Sequence, residues 1–309
     1  MSSSSHLNEL VRQFCQQRPI RAGSLIITIF GDAIAPRGGT VWLGSLIQVL
    51  ESLGLNQRLV RTSVFRLSKE ENWLSAEQVG RRAYYSVTSQ GRRRFDKAFK
   101  RIYAPVLPEW DGSWCLVVLS QLPTEKRQEV RDELQWMGFG AFSPTLMAAP
   151  NYDMLELRNT LQELDALDGS ILFETRQNET SSSRALREQS RECWNLDQIS
   201  DSYRQFLDRF RPVWQELKNK DSLDPQECFI ARTLMIHEYR KLLLRDPQLP
   251  AELLPPDWSG VAARQLCRNL YSLVCGPSEV YIGESMETAE GPLPEPTPAF
   301  YKRFGGLKV

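Results

Sequence analysis

Apolar residues recur at helical spacing three times in the first seventy positions. Leu25, Ile26, Ile29, Phe30 and Ala33 do so over residues 21–36, a run that Pro36 closes, and Arg37-Gly38-Gly39 follows as a loop. Leu43, Leu46, Ile47 and Leu50 mark a second helix over residues 43–53, with Gly54 as its stop. Asn56 is placed to cap a third helix, over residues 57–71. In that helix Val60, Val64 and Leu67 share an inner face, while Arg58, Arg61, Thr62, Phe65, Arg66 and Lys69 point away from it. Trp73-Leu74-Ser75, a turn at Val79-Gly80-Arg81-Arg82 and the alternating run Tyr84-Tyr85-Ser86-Val87-Thr88 then predict a hairpin with a basic tip. Three helices and such a hairpin make a winged helix-turn-helix.

The pattern changes after Asp111. Trp114-Cys-Leu-Val-Val-Leu119 is a short continuous apolar run suited to a strand buried on both faces. A helix over residues 124–137, a break at 138–140, a strand at 144–149, a helix over 154–167 and a strand over 169–176 follow. This β-α-β-α-β order predicts a ferredoxin-like α/β module. Asn178-Glu-Thr-Ser-Ser-Ser183 reads as a polar linker, and beyond it the pattern is mainly helical. Leu196, Ile199, Tyr203, Phe206, Phe210, Val213 and Leu217 step by three and four, forming one apolar stripe interrupted by Pro212, which in a rival reading as a structural interaction module would bind a partner protein. Further helices near residues 225–245 and 258–275 flank a proline-rich turn. The expected class is therefore α+β and multidomain: a winged helix-turn-helix over 1–104, a ferredoxin-like module over 105–180, and a helical dimerisation and effector domain over 181–309.

Composition adds one asymmetry. With 41% hydrophobic and 25% charged residues the chain belongs with folded globular proteins. Its net charge of zero conceals a segment, residues 56–101, in which twelve Arg and Lys face four Asp and Glu. The segment carries +8 and the remainder −8, so a polyanion suits the segment alone. The six cysteines are scattered without a C-x-x-C pair and read as reduced structural thiols. No run long enough to span a membrane and no secretory leader appear, so a cytoplasmic location is expected.

An arginine-rich helix face fits the major groove of DNA, where guanidinium groups meet phosphates and guanine edges, Thr62 a phosphate or base, and Phe65 a thymine methyl. Arg81 and Arg82 at the hairpin tip suit phosphates or the minor groove. Arg37 and Tyr84 complete the candidate DNA-binding set. Enzyme motifs fail on chemistry. Gly39-Thr-Val-Trp-Leu-Gly44 has P-loop spacing but Ser45 and Leu46 where Lys and Ser or Thr must stand, and His237-Glu238 lacks its second histidine because Lys241 occupies that place. No metal site is expected. A metal-dependent nuclease would need a carboxylate cluster, for which Asp111 and Asp153 are the nearest candidates. Trp194, Tyr203, Arg232, His237, Tyr239, Arg240, Lys241, Trp258, Arg264 and Tyr271 form an aromatic and cationic set. Such a set suits an acyl chain beside phosphates, and equally suits core aromatics with charges extended to solvent.

Longer motifs are specific. Phe30-Gly-Asp-Ala-Ile-Ala-Pro-Arg-Gly-Gly39, Trp42-Leu-Gly-Ser45, Val60-Arg-Thr62, Phe65-Arg-Leu67, Gly80-Arg-Arg82 and Tyr85-Ser86 resemble the PaaX family of phenylacetate-catabolism repressors. So do Trp110-Asp-Gly-Ser-Trp114, Trp136-Met-Gly-Phe-Gly140, Glu192-Cys-Trp194, Phe210-Arg-Pro212, His237-Glu-Tyr-Arg240, Asp246-Pro-Gln-Leu-Pro-Ala-Glu-Leu-Leu-Pro255, Trp258-Ser-Gly260, Ala263-Arg-Gln-Leu266 and Arg303-Phe-Gly-Gly306. The resemblance spans nearly the whole chain. It implies a bacterial homodimeric repressor, not an enzyme, with a winged helix like that of the GntR group, seated on operator DNA of phenylacetic acid degradation genes. It implies no cofactor and phenylacetyl-CoA as inducer, for which His237, Arg240, Lys241, Trp258 and Arg264 are the candidate effector-binding residues.

Overall fold

The computed structural model describes residues 5–17, 21–104, 109–150, 152–176 and 183–307, and in it the chain is α+β. Of the polar linker at 178–183, only Ser183 falls among them. The path begins with α1 (Ser5–Gln16) and α2 (Ala22–Ile29), which runs on through a π-helical turn, Phe30–Ile34, and a 3-10 turn, Ala35–Arg37. Then come β1 (Thr40–Trp42), α3 (Leu43–Glu51), α4 (Gln57–Lys69), β2 (Leu74–Val79), β3 (Arg82–Val87) and α5 (Ser89–Tyr103). The middle holds β4 (Ser113–Val118), α6 (Thr124–Trp136), β5 (Gly140–Ser143), β6 (Leu146–Pro150), α7 (Met154–Glu163) and β7 (Ile171–Arg176). The rest is α8 (Ser183–Cys193), α9 (Leu196–Lys218), α10 (Pro225–Leu243), α11 (Ser259–Ser285), a ribbon of β8 (Glu287–Thr288) and β9 (Gly291–Pro292), α12 (Pro298–Tyr301) and a 3-10 turn, Arg303–Gly305. Among the described residues no helix is long and apolar enough to cross a membrane.

Two compact units result, one of residues 1–105, 203–242 and 260–309, the other of 106–202 and 243–259. The helical region after 181 is thus shared between them. In the first unit the three expected helices bury their stripes, and β1, β3 and β2 form an antiparallel sheet in that order, with Val41 opposite Tyr85 and Glu77 opposite Tyr84. Strand β1 fills residues 40–42, between the expected loop and the second helix, where no element is expected. Gly38 and Gly39 both adopt positive φ, 89° and 87°, which turns the chain from the 3-10 segment into that strand without a Cβ penalty. Helix α5 was not anticipated; the Thr88 hydroxyl caps it by accepting from Gly91 N at 2.9 Å.

The stripe that the rival reading offers to a partner protein is covered by the chain itself over residues 203–217. Tyr203, Phe206, Phe210, Val213 and Leu217 are buried in the first unit, where Phe206 lies 4.7 Å from Phe210 and 5.6 Å from Tyr239 between ring centres. Its spacing reports a core face.

A buried ionic cluster ties the amino-terminal helices of this unit to its carboxy-terminal segments. Asp32, in the π-helical turn, accepts from Arg232 Nε of α10 at 2.6 Å, from Arg303 at 2.8 Å, from Tyr103 of α5 at 2.5 Å and from Tyr271 of α11 at 3.0 Å. Arg232 also reaches Glu279 of α11 at 2.5 Å, and Glu279 accepts in turn from Arg37. The guanidinium of Arg303 is stacked near Tyr103 at 4.1 Å and Phe300 at 4.5 Å, so ring faces lie where its remaining N–H groups lack acceptors. Burial pushes the Asp32 carboxyl up, but Arg232, Arg303 and the Tyr103 hydroxyl outweigh it and hold it below the usual carboxylate range.

The second unit places the apolar run of β4 at the centre of a four-stranded antiparallel sheet, order β5-β6-β4-β7. Cys115 and Val117 face a core with Val130 and Leu134 of α6 and Leu157 and Leu161 of α7. Trp114 and Leu116 face a second cluster containing Leu196, Leu249 and Leu253, so both faces of β4 are covered. The order is β-α-β-β-α-β rather than the expected β-α-β-α-β, because β5 occupies what reads as a glycine break. Gly140 opens β5 where a Cβ would stand 2.7 Å from the Trp194 ring, and Trp194 donates its indole N–H to Gly138 O at 2.9 Å.

His237 gives the first unit an acid-sensitive position. Its ring is buried, with Nδ1 3.1 Å from Thr28 Oγ1, and burial, reinforced by Lys241 and Arg240, pulls its pKa down from 6.5 to about 3. The unfolded chain therefore binds a proton that the folded chain refuses between those values, so stability is full above pH 6.5 and falls as pH drops toward 3. Urea titrations from pH 7 to pH 4 are expected to show a loss on the order of a few kcal/mol attributable to this ring. The expected outcome for His237→Gln is a visibly flatter acid limb, and an unchanged limb would contradict this assignment.

Candidate nucleic-acid interface

Helix α4 is held by its inner face and its first turn. Asn56 Oδ1 accepts from Leu59 N at 2.9 Å, and Val60, Val64 and Leu67 are buried where α4 packs on α2 and α3. The outer face then projects Arg58, Arg61, Thr62, Phe65, Arg66 and Lys69, all exposed. Phe65 is 56% exposed, a large ring with no core to enter. Arg66 pairs with Glu70 one turn on at 3.2 Å, an exposed contact of little stabilising value that is easily exchanged for a phosphate. Thr62 Oγ1 donates to Arg58 O at 3.0 Å, leaving its lone pairs outward.

The hairpin of β2 and β3 turns through Gly80-Arg81, with Val79 opposite Arg82. Arg81 stands exposed at the tip. Arg82 is half-exposed but organised: its guanidinium lies 4.2 Å from the Trp42 ring centre and donates to Glu287 at 2.9 Å. A stacked planar cation is pre-ordered for a phosphate, at the expense of exchanging a carboxylate partner.

Two of the expected DNA contacts are corrected. Arg37 is 6% exposed, its guanidinium engaged by Glu279, because the 3-10 turn that carries it points into the first unit. Tyr84 is buried at 5%, since strand alternation turns it inward opposite Trp42 and Glu77. The basic segment also divides. Arg92 donates to the carbonyls of Ala35 and Gly38, and Arg94 lies over Trp73 at 4.7 Å and donates to Glu71 O, so both have structural partners. Arg93 and Lys100 of α5 are exposed and were not singled out from the sequence. The Lys97 side chain lies outside the described residues.

The five effector candidates do not converge as one set. His237 and Arg240 of α10 face α2, Arg240 donating to Ser24 O at 3.1 Å and Ser24 Oγ at 2.7 Å. Lys241 pairs with Glu238 of its own helix, and Arg264 of α11 donates to Ala104 O. Trp258 belongs to the second unit, packed against the cluster of Trp114 and Leu196. The carboxylates weighed for a nuclease have local partners: Asp111 binds Ser113 N and Arg176, and Asp153 caps α7 through Leu155 N. Among the described residues no cluster of three metal-ligating side chains occurs. The buried tie of Asp32 with Arg232 and Arg303 does not follow from the sequence, where Asp32 and Arg232 each stand alone in an apolar stretch and Arg303 follows Lys302.

An exposed cationic helix face beside a basic hairpin is a surface whose charge suits a polyanion. Three family models match in succession: the PaaX-like protein over residues 21–91, the PaaX protein central Cas2-like domain over 107–187, and the PaaX-like protein C-terminal domain over 194–284. The transcriptional repressor PaaX of Escherichia coli (strain K12) is 40% identical over 306 residues, covering 99% of this chain and 96% of its own. The chain belongs to the PaaX family, a family of transcriptional repressors and not of enzymes. An uncharacterised protein of Mycobacterium tuberculosis, Rv0674, shares the fold at a TM-score of 0.51 and 19% identity, over 77% of this chain and 89% of that one.

The burial of Arg37 separates stability from docking. Arg37→Ala removes one of the two cations that Glu279 accepts from and leaves a gap in the interior, and is expected to lower the urea midpoint, while operator affinity per folded molecule in gel shifts stays within about twofold of the parent. A large affinity loss at unchanged stability would return Arg37 to the docking face.

Proposed function

We propose that this chain is a cytoplasmic bacterial repressor of phenylacetate catabolism genes that grips operator DNA through a winged helix-turn-helix and leaves it on binding phenylacetyl-CoA. In this reading α3 and α4 are the helix-turn-helix, α4 is the recognition helix in the major groove, and the β2–β3 hairpin is the wing. The four-stranded module of the second unit is taken as ferredoxin-like, and the operator-bound form as a homodimer. The observation that carries the reading is the outward presentation of Arg58, Arg61, Arg66 and Lys69 on a helix whose opposite face is fully buried. Membership in a family of repressors supports the class, and the motif resemblance supports the pathway and the inducer.

Release needs no more than a ligand that prefers the arrangement with low operator affinity. The phosphates of DNA make binding salt-dependent through counterion release. Arg61→Ala or Arg66→Ala is expected to cost about 1–3 kcal/mol of operator binding where the guanidinium meets a base, whereas Arg81→Ala weakens all sequences alike and lowers the salt slope by about one. Footprinting of the upstream DNA with and without phenylacetyl-CoA tests the whole reading: a protected site that opens with the acyl-CoA supports it. Equal affinity of all three variants and the parent would refute the recognition surface.

A further inference from the structure

We infer that the cavity between α2, α5 and α10 in the first unit seats an aryl-acyl group, its flat ring among Phe95, Phe99 and Ile236 and its carbonyl oxygen on the Nε–H of Arg240. The inference rests on the proposed acyl-CoA response and gives it a place. The cavity holds about 190 Å³ and is partly open to solvent. An apolar cavity of about 150 Å³ lined by Leu, Ile and Phe is enough to bind benzene.

Of its polar lining groups Asp96 and Thr297 stand at exposed positions, and the buried ones named next are engaged except for one donor. Thr28 Oγ1 donates to Ser24 O, Arg92 donates to Ala35 O and Gly38 O, and Asp32 is saturated by the cluster described above. Arg240 uses its terminal nitrogen on Ser24, while its buried Nε–H has no acceptor among the described residues. A buried open donor in an aromatic cavity calls for a ligand with an acceptor oxygen next to a ring. Of the sequence candidates, Arg240 alone lines this space.

The wall is shared with the DNA-reading helix. Trp73, also lining the cavity, donates its backbone N–H to Leu67 O in the last turn of α4 at 2.9 Å, and its carbonyl accepts from Thr88 N, the cap of α5, at 3.1 Å. A ring lodged against α5 and Trp73 thus acts on the junction that sets the end of α4.

The test uses the full chain and three probes: phenylacetamide, coenzyme A alone and phenylacetyl-CoA. Phenylacetamide is expected to shift the ring NMR signals of Phe95 and Phe99, and coenzyme A alone to leave them in place. Ala98→Leu narrows the cavity; it should weaken phenylacetyl-CoA by about tenfold or more and leave ligand-free operator affinity unchanged. Ile236→Ala enlarges it and should admit naphthylacetamide, which the parent rejects, so this variant decides the matter if Ala98→Leu does not fold. Parent-like phenylacetyl-CoA binding in a folded Ala98→Leu, or no change of size preference in Ile236→Ala, would overturn the site while leaving acyl-CoA release of the operator standing. Ring shifts by phenylacetamide in a protein that ignores phenylacetyl-CoA would uphold the site and remove the proposed inducer.

Discussion

A carboxylate taken out of water must be met by cations and hydrogen-bond donors at once, and Asp32 meets all of its partners from distant parts of the sequence. Arg232 comes from α10, Tyr271 from α11, Arg303 from the closing turn and Tyr103 from the end of α5. Desolvating such a group is costly, so the cluster is a weak source of net stability but a strong source of uniqueness: loss of any one partner leaves charge stranded in the interior. With Asp32 in the turn that follows α2, this requirement dictates which carboxy-terminal segments pack behind the amino-terminal helices. Some of the motifs that carry the family resemblance are, in this light, halves of contacts. Asp32 and Arg37 of the first long motif meet the regions of Arg232, Glu279 and Arg303, and Trp194 of Glu-Cys-Trp meets Gly138 and Gly140 of Trp-Met-Gly-Phe-Gly.

The cationic surface follows from the same packing. Because Val60, Val64 and Leu67 are consumed by α2 and α3, the arginines of α4 have no interior to enter, and the local acids are too few to neutralise them. Arginines elsewhere in the basic segment were put to structural use, as with Arg92 on the carbonyls before β1 and Arg94 over Trp73. What remains outward is a narrower and better-ordered set than the raw charge count implies. The remainder of the chain carries the compensating negative charge.

Local patterns proved legible wherever one physical cause dominated. The stripe of α4, its Asn56 cap, the turn at Gly80-Arg81 and the doubly covered strand β4 each follow from periodicity or turn chemistry within a dozen residues. Strands β1 and β5 were illegible because each is short and glycine-led, formed by pairing rather than by propensity. Helix α5 was hidden by its density of arginine, although Phe95, Phe99 and Ile102 keep helical spacing within it. Arg37 misled because an arginine between a helix and a glycine pair looks exposed, and only the distant Glu279 explains its burial. The stripe from Leu196 to Leu217 misled in the opposite sense: periodicity reports that a face is covered, not by which molecule.

A double-mutant cycle on Asp32→Asn and Arg232→Met, followed by urea unfolding of the full chain, tests the central claim most directly. The account predicts that Asp32→Asn alone costs about 3–5 kcal/mol, and that adding Arg232→Met costs much less than the sum of the two single changes. Single costs below about 1 kcal/mol, or strict additivity of the pair, would contradict it.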